Sequence, residues 1–125
     1  QMHRDFTYVD DIVTGISKLL NKSPKKNQKY NHFKPKPCNS SAPYQILNIG
    51  NGKKIHLMDF IKEIEKNFKR ISKKNLLKMQ PGDVRETLSN TNKIYKLCGY
   101  KSKTDVPNGV KKFINWYAGY FKKKL

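Results

Sequence analysis

Apolar residues recur along this chain in short clusters, separated by stretches of Lys, Asn, Pro and Ser, and most clusters carry a period. Ile12, Val13, Ile16, Leu19 and Leu20 fall on one face of a two- to three-turn helix. Asp10 just ahead is a residue type that caps helix N-termini. Residues 5–9 alternate enough to predict a short strand. Residues 44–49 are mostly apolar and β-prone, and Gly50-Asn51-Gly52 ends the run. Met58, Ile61, Ile64, Glu65 and Phe68 trace one face of a helix over about 57–69, a stripe that is apolar apart from Glu65. Residues 75–79 predict a strand stopped by Pro81-Gly82. Asn90 is placed to cap a short helix through Ile94, Leu97 and Cys98, with Gly99 at the C′ position that tolerates left-handed geometry. Asp105 then caps a last helix with Pro107 in its first turn, where a missing N–H costs nothing. Val110, Phe113, Ile114, Tyr117 and Phe121 line one side of it. No internal repeat is visible.

Composition narrows this picture. A chain of 125 residues suits one domain, and four helices with two to four short strands leave it a thin core. The 36% hydrophobic content is low beside 29% charge, yet 11% aromatic residues are too many for a disordered chain. Residues 21–41 lack periodicity and predict an exposed loop.

Net charge is +18, with Lys outnumbering Arg 24 to 3. A nucleic-acid surface favours Arg, whose guanidinium fork grips phosphates and base edges in pairs. Lys spread over every segment reads instead as a solvated surface, so nucleic acid is not the expected partner. No apolar run reaches the roughly 20 residues of a membrane span. Cys38 lies in a Pro/Lys loop and Cys98 near a helix end. Without a signal peptide they form no disulfide framework, and a reducing cytoplasm is expected.

Two short segments carry the most specific signal: Arg4-Asp5-Phe6-Thr7-Tyr8-Val9-Asp10-Asp11 and Gln80-Pro81-Gly82-Asp83-Val84. With Ser40-Ser41-Ala42-Pro43-Tyr44, the run from Tyr44 to Gly52, Lys74-Asn75-Leu76-Leu77 and Phe113-Ile114-Asn115-Trp116-Tyr117, they follow one order and spacing. That order resembles the substrate lobe of extended short-chain dehydrogenase/reductases, within them the UDP-glucuronate 4-epimerases, over Met2 to about Tyr120. The resemblance implies an α/β fold, the C-terminal part of such an enzyme: one strand of the Rossmann sheet plus the small substrate-binding lobe, without a complete Rossmann domain. Residues 45–49 would then extend a parallel sheet, part of the surface would be a severed interface, and residues 1–125 would be one substrate-binding region. The chain starts at Gln1 rather than at a Met, which suggests a fragment.

The resemblance also implies roles. In the family the Arg opening the first motif, here Arg4, contacts the nucleotide diphosphate; the alternative is a surface Arg paired with Asp5 or Asp11. Asp83 would lie near the ribose hydroxyls or a phosphate-binding Arg, or else be a plain turn Asp. Gln80 stands where some sugar epimerases carry a phosphate-binding Arg, and Arg85 would supply the displaced charge. Asn48 reads as a turn-supporting residue. Asp10 and Asp11 resemble a catalytic pair only superficially; capping and the helix dipole explain them.

The family's chemistry uses NAD, a Tyr base and a Lys in Y-x-x-x-K. Its cofactor needs a glycine-rich strand–turn–helix, and no such glycine pattern occurs here. Tyr30 to Lys34 and Tyr120 to Lys124 match Y-x-x-x-K by chance, given 24 Lys and 7 Tyr. No catalytic or cofactor-binding residue is therefore expected, and no epimerase activity from this chain alone. The implied partners are a UDP-sugar, an N-terminal Rossmann domain and, as is usual in the family, a second copy of the enzyme. His3, His32 and His56 show no metal-like spacing with each other or with the cysteines, so no metal site is expected.

Overall fold

The computed structural model describes residues 2–122. In chain order it contains β1 (His3–Arg4), α1 (Val9–Leu19), β2 (Ile55–His56), α2 (Leu57–Phe68), α3 (Asn92–Cys98) and α4 (Val106–Tyr120). β1 and β2 pair antiparallel, with His3 opposite His56 and Arg4 opposite Ile55. The other edge of β1 is flanked by residues 85–87: His3 N donates to Arg85 O at 3.0 Å, and Thr87 N donates to His3 O at 3.2 Å. Three distant parts of the chain thus meet in a narrow ribbon.

The helices follow the apolar periods. α2 ends where expected, with Lys69 left-handed at φ 51°. α3 stops at Gly99, φ 65°, whose amide donates to Tyr95 O at 2.7 Å. Asp105 caps α4 by accepting from Asn108 N at 2.9 Å. The cap of α3 falls one residue later than expected, at Thr91, while Asn90 Oδ1 accepts from Asn92 N at 3.1 Å.

The strands depart from expectation. Residues 5–9 form none: Asp5 N turns to Thr87 Oγ1 at 3.1 Å, and Val9 already starts α1. The N-cap of that helix is Tyr8, without a side-chain cap, so Asp10 is a first-turn residue rather than the cap. Residues 44–49 form no sheet strand. One bridge joins Asn39 to Gln45, and Ile46 N donates to Cys38 O at 3.0 Å. Residues 75–79 form no strand either, with Leu76 and Leu77 largely exposed. A β-prone run becomes a strand only when another edge satisfies its amides and carbonyls. Residues 21–41 are irregular and mostly exposed, as expected.

The core is thin. Ile94, Tyr100, Val110 and Ile114 are its buried apolar side chains. α2 packs against α4, and Phe6 stacks on Phe60 with ring centres 3.8 Å apart. α1 is buried at Asp11 and Gly15, with Tyr100 so close that a Cβ on Gly15 would lie 2.9 Å from its ring. Its apolar stripe is therefore split. Ile12 and Leu19 are half-buried, but Val13, Ile16 and Leu20 are 54%, 51% and 74% exposed. Among the described residues no helix is long and apolar enough to cross a membrane.

Candidate functional site

Gln80-Pro81-Gly82-Asp83 forms a tight turn. Pro81 fixes its own φ, Gly82 takes φ +86°, and Asp83 N donates to Gln80 O at 3.1 Å. That combination is a type II turn, whose third residue requires the left-handed region that Gly reaches without strain. The turn sets the Asp83 carboxylate beside the end of β1.

Arg4 meets it there. Its Nη2 lies 3.4 Å from Asp83 Oδ1, and its Nη1 donates to His3 O at 2.9 Å and Arg85 O at 3.3 Å. These contacts use three of the five guanidinium N–H groups, leaving Nε and one Nη2 hydrogen for another acceptor. The Arg4 side chain is 23% exposed and that of Asp83 45%. At 3.4 Å the pair is longer than the 2.7–2.9 Å typical of a charge-assisted bond, so the carboxylate orients the guanidinium without saturating it. The fold thus joins Arg4, Asp83 and Arg85, and the turn adds Gln80. Gln80 and Arg85 contribute through their carbonyls. Their side chains are exposed and form no hydrogen bond among the described residues. The alternative pairing of Arg4 with Asp5 or Asp11 does not occur, because both carboxylates are engaged elsewhere.

Asp5 is the residue that periodicity misses. Its Oδ1 accepts from Asn51 N at 3.0 Å and Gly52 N at 3.1 Å, and its Oδ2 from Ser89 N at 2.8 Å. Thr7 Oγ1 accepts from Asn51 N at 2.9 Å. This clamp joins the Gly50-Asn51-Gly52 turn to the segment leaving Asp83, and so holds both sides of the Arg4 site. It needs Gly50, where a Cβ would lie 2.7 Å from Ser89 Oγ and 2.9 Å from Asp5 Oδ2. Asn48 lines a polar cavity of about 430 Å³ beside this clamp.

Asp11, expected as a dipole residue, is instead a buried anchor. Its Oδ2 accepts from Ser102 Oγ at 2.7 Å, Thr104 N at 2.9 Å and Lys103 N at 3.2 Å. Burial pushes its carboxyl up, but the bonds from Ser102, Thr104 and Lys103 together bring it below its ordinary value. Tyr100 donates to Gly50 O at 3.1 Å, and burial, with Asp11 and Asp5 nearby, pushes its phenol up. The sequence clue to both carboxylates is scarcity: nine acids among 27 Lys and Arg.

A larger, apolar cavity of about 470 Å³ opens between Phe6, Tyr8, Phe60, Ile64, Val106 and Phe113. Among the described residues no glycine-rich dinucleotide cradle is found. A bound NAD pyrophosphate needs a glycine-rich turn between a strand and a helix N-terminus. Among the described residues one strand runs directly into a helix, β2 into α2, through Ile55-His56-Leu57 with no glycine. Tyr30 and Lys34 lie in the irregular loop, and Tyr120 ends α4. Lys124 lies outside the described residues.

The profile of the GDP-mannose 4,6 dehydratase family matches residues 1–113. The chain belongs to that family. It thereby stands among the extended short-chain dehydrogenase/reductases that its motifs resemble. It is 43% identical over 122 residues to Protein CapI of Staphylococcus aureus, covering 98% of this chain and 36% of that protein. A probable UDP-glucuronate 4-epimerase of Rhizobium meliloti is 35% identical over 121 residues, covering 94% of this chain and 35% of that one. Among solved structures, UDP-glucose 4-epimerase from Bifidobacterium longum, in complex with NAD+ and UDP, superposes with a TM-score of 0.75 at 18% identity, over 95% of this chain and 31% of that chain. UDP-glucuronic acid 4-epimerase from Bacillus cereus, in complex with NAD, gives 0.69 at 20% identity, over 99% and 32%. The fold is therefore part of the epimerase fold, and the chain spans about a third of the length of the relatives it matches.

Proposed function

We propose that this region holds the diphosphate end of a UDP-sugar within an NAD-dependent epimerase of the UDP-glucuronate 4-epimerase type. The observation that carries the reading is the part-covered Arg4 guanidinium, oriented by Asp83 and two backbone carbonyls with two N–H groups to spare. A pyrophosphate presents tetrahedral phosphate groups whose charged oxygens such a planar fork grips in pairs. Arg85, whose side chain is exposed beside the same turn, adds a second cation, and Gln80 an amide donor. Likeness to UDP-glucuronate 4-epimerases in sequence supports the choice of nucleotide.

In this reading the chain's contribution is binding rather than bond-breaking. Gripping the remote diphosphate would fix the sugar ring against a nicotinamide supplied by the cofactor domain, converting binding energy into orientation. Among the described residues no glycine-rich cofactor turn accompanies the Arg4 site, and the isolated chain is expected to bind weakly and to convert nothing. Calorimetric titration of UDP and UDP-glucuronate tests this. UDP binding that is lost in Arg4→Ala supports it, and equal binding by Arg4→Ala sinks it. Conversion of UDP-glucuronate by the purified chain with added NAD would refute the inactivity.

The exposed face of α1 favours a second, compatible reading: a module that completes a separate chain carrying the cofactor domain. Activity recovered on mixing with such a fragment supports it, and failure of the two to associate counts against it.

A further inference from the structure

We propose that His3 and His56 form a two-imidazole site for a divalent first-row transition ion, with zinc as the natural probe. The two residues lie far apart in the chain, and the fold makes them direct cross-strand partners. Leu57 N donates to Met2 O at 2.9 Å, so the flanking pair of residues is the hydrogen-bonded one. His3 turns its own amide and carbonyl the other way, to Arg85 and Thr87. His3 and His56 are therefore a non-hydrogen-bonded antiparallel pair, the kind whose side chains approach most closely on one face.

Their ring centres are 5.2 Å apart, at an interplanar angle of 68°. Two imidazoles on one tetrahedral zinc, with Zn–N near 2.0–2.1 Å, have ring centres roughly 5 Å apart. The spacing is thus what shared ligation requires, and rotation about the broad χ2 torsion can turn a nitrogen of each ring to the ion. Both residues are half-buried, which limits how far the rings can separate.

The surroundings add a carboxylate to the same row. Glu86 forms a parallel bridge with His3, so it follows His56 and His3 across the ribbon. Its Oε1 accepts from Lys54 Nζ at 2.7 Å, and that ammonium opposes a cation nearby. Among the described residues no three His, Cys, Asp or Glu side chains converge as a ligand set. The ion would accordingly be held by two imidazoles, with water completing its coordination, and affinity would be micromolar rather than nanomolar. Imidazole is among the ligands that suit zinc, copper and nickel, and it binds them only when neutral, so affinity falls on acidification. Arg4 alternates to the opposite side of β1, so this site stands independently of the nucleotide reading.

The test is zinc titration followed by the imidazole NMR resonances, in a Cys38→Ser, Cys98→Ser background that removes competing thiolates. His3 and His56 resonances are expected to move together, saturating at one zinc per chain, while His32 stays in place and magnesium has no effect. His3→Gln and His56→Gln should each weaken zinc binding at least about tenfold, since one imidazole alone makes no chelate. No saturable movement up to millimolar zinc, equal movement of His32, or binding unchanged in His3→Gln would overturn the proposal. The histidine resonances of the otherwise intact protein decide it even if a Gln variant folds poorly.

Discussion

Nine carboxylates among 27 lysines and arginines are scarce enough that each position matters. Asp5 and Asp11 show how differently neighbouring acids are used. Asp5 takes three backbone amides from two remote segments, and Asp11 takes two amides and a hydroxyl from a third. Asp10, between them, is exposed and serves only the helix dipole. Removing an acceptor from part-buried amides costs about 1–3 kcal/mol, and more where the acceptor is charged. Asp5→Ala should therefore lower unfolding stability by about 2–3 kcal/mol in urea, whereas Asp10→Ala should stay within about 0.5 kcal/mol. Equal effects would show that the clamp is not what holds the two turns. Such anchors were illegible beforehand, because a carboxylate aimed at a distant amide leaves no period in the sequence. The motif residues were legible: Arg4 and Asp83, 79 positions apart, do meet.

At the scale of elements, helices could be read and strands could not, for a physical reason. α2 and α4 each carry a period that their own packing satisfies. The strand tendency of residues 44–49 and 75–79 depends on edges that the described residues do not supply. Likewise the apolar face of α1 is legible but its cover is not, since periodicity finds a stripe and not what packs on it: Val13, Ile16 and Leu20 are exposed. Ile16→Lys is thus expected to leave thermal stability nearly unchanged, while Ile114→Ala, in the buried core, should cost about 2–5 kcal/mol. A large loss from Ile16→Lys would contradict the exposed placement.

A second element-scale feature is acid-sensitive. Glu65 in α2 accepts from Lys74 Nζ and from Ser72 N and Oγ, strapping residues 72–74 to the helix. The Lys74 ammonium first, then the Ser72 bonds, bring its carboxyl down from 4.5 to about 2. A depressed folded value means that the strap is complete above pH 4.5 and is lost as pH falls from about 4.5 to about 2. Amide exchange at residues 70–74 should accelerate in that window. In Glu65→Gln it should already be fast at neutral pH and show little further change.

For the whole molecule, a thin core and an exposed helix face accompany a chain that spans about a third of the length of relatives such as Protein CapI. Sequence motifs carried the family and picked out Arg4 and Asp83, the pair on which the proposed diphosphate site rests. The three-segment ribbon that builds the site emerged only from the fold, because its pairings join residues near 3, 55 and 86. With a net charge of +18, any anion will associate loosely with this surface, so binding alone is not the sharpest test. The decisive measurement is a map of amide shifts in the isotope-labelled chain as UDP is added at moderate salt. The account predicts shifts that saturate and centre on Arg4, Gly82, Asp83 and Arg85, and that vanish in Arg4→Ala. Shifts scattered over the lysine surface, fading with salt and unchanged in Arg4→Ala, would contradict it.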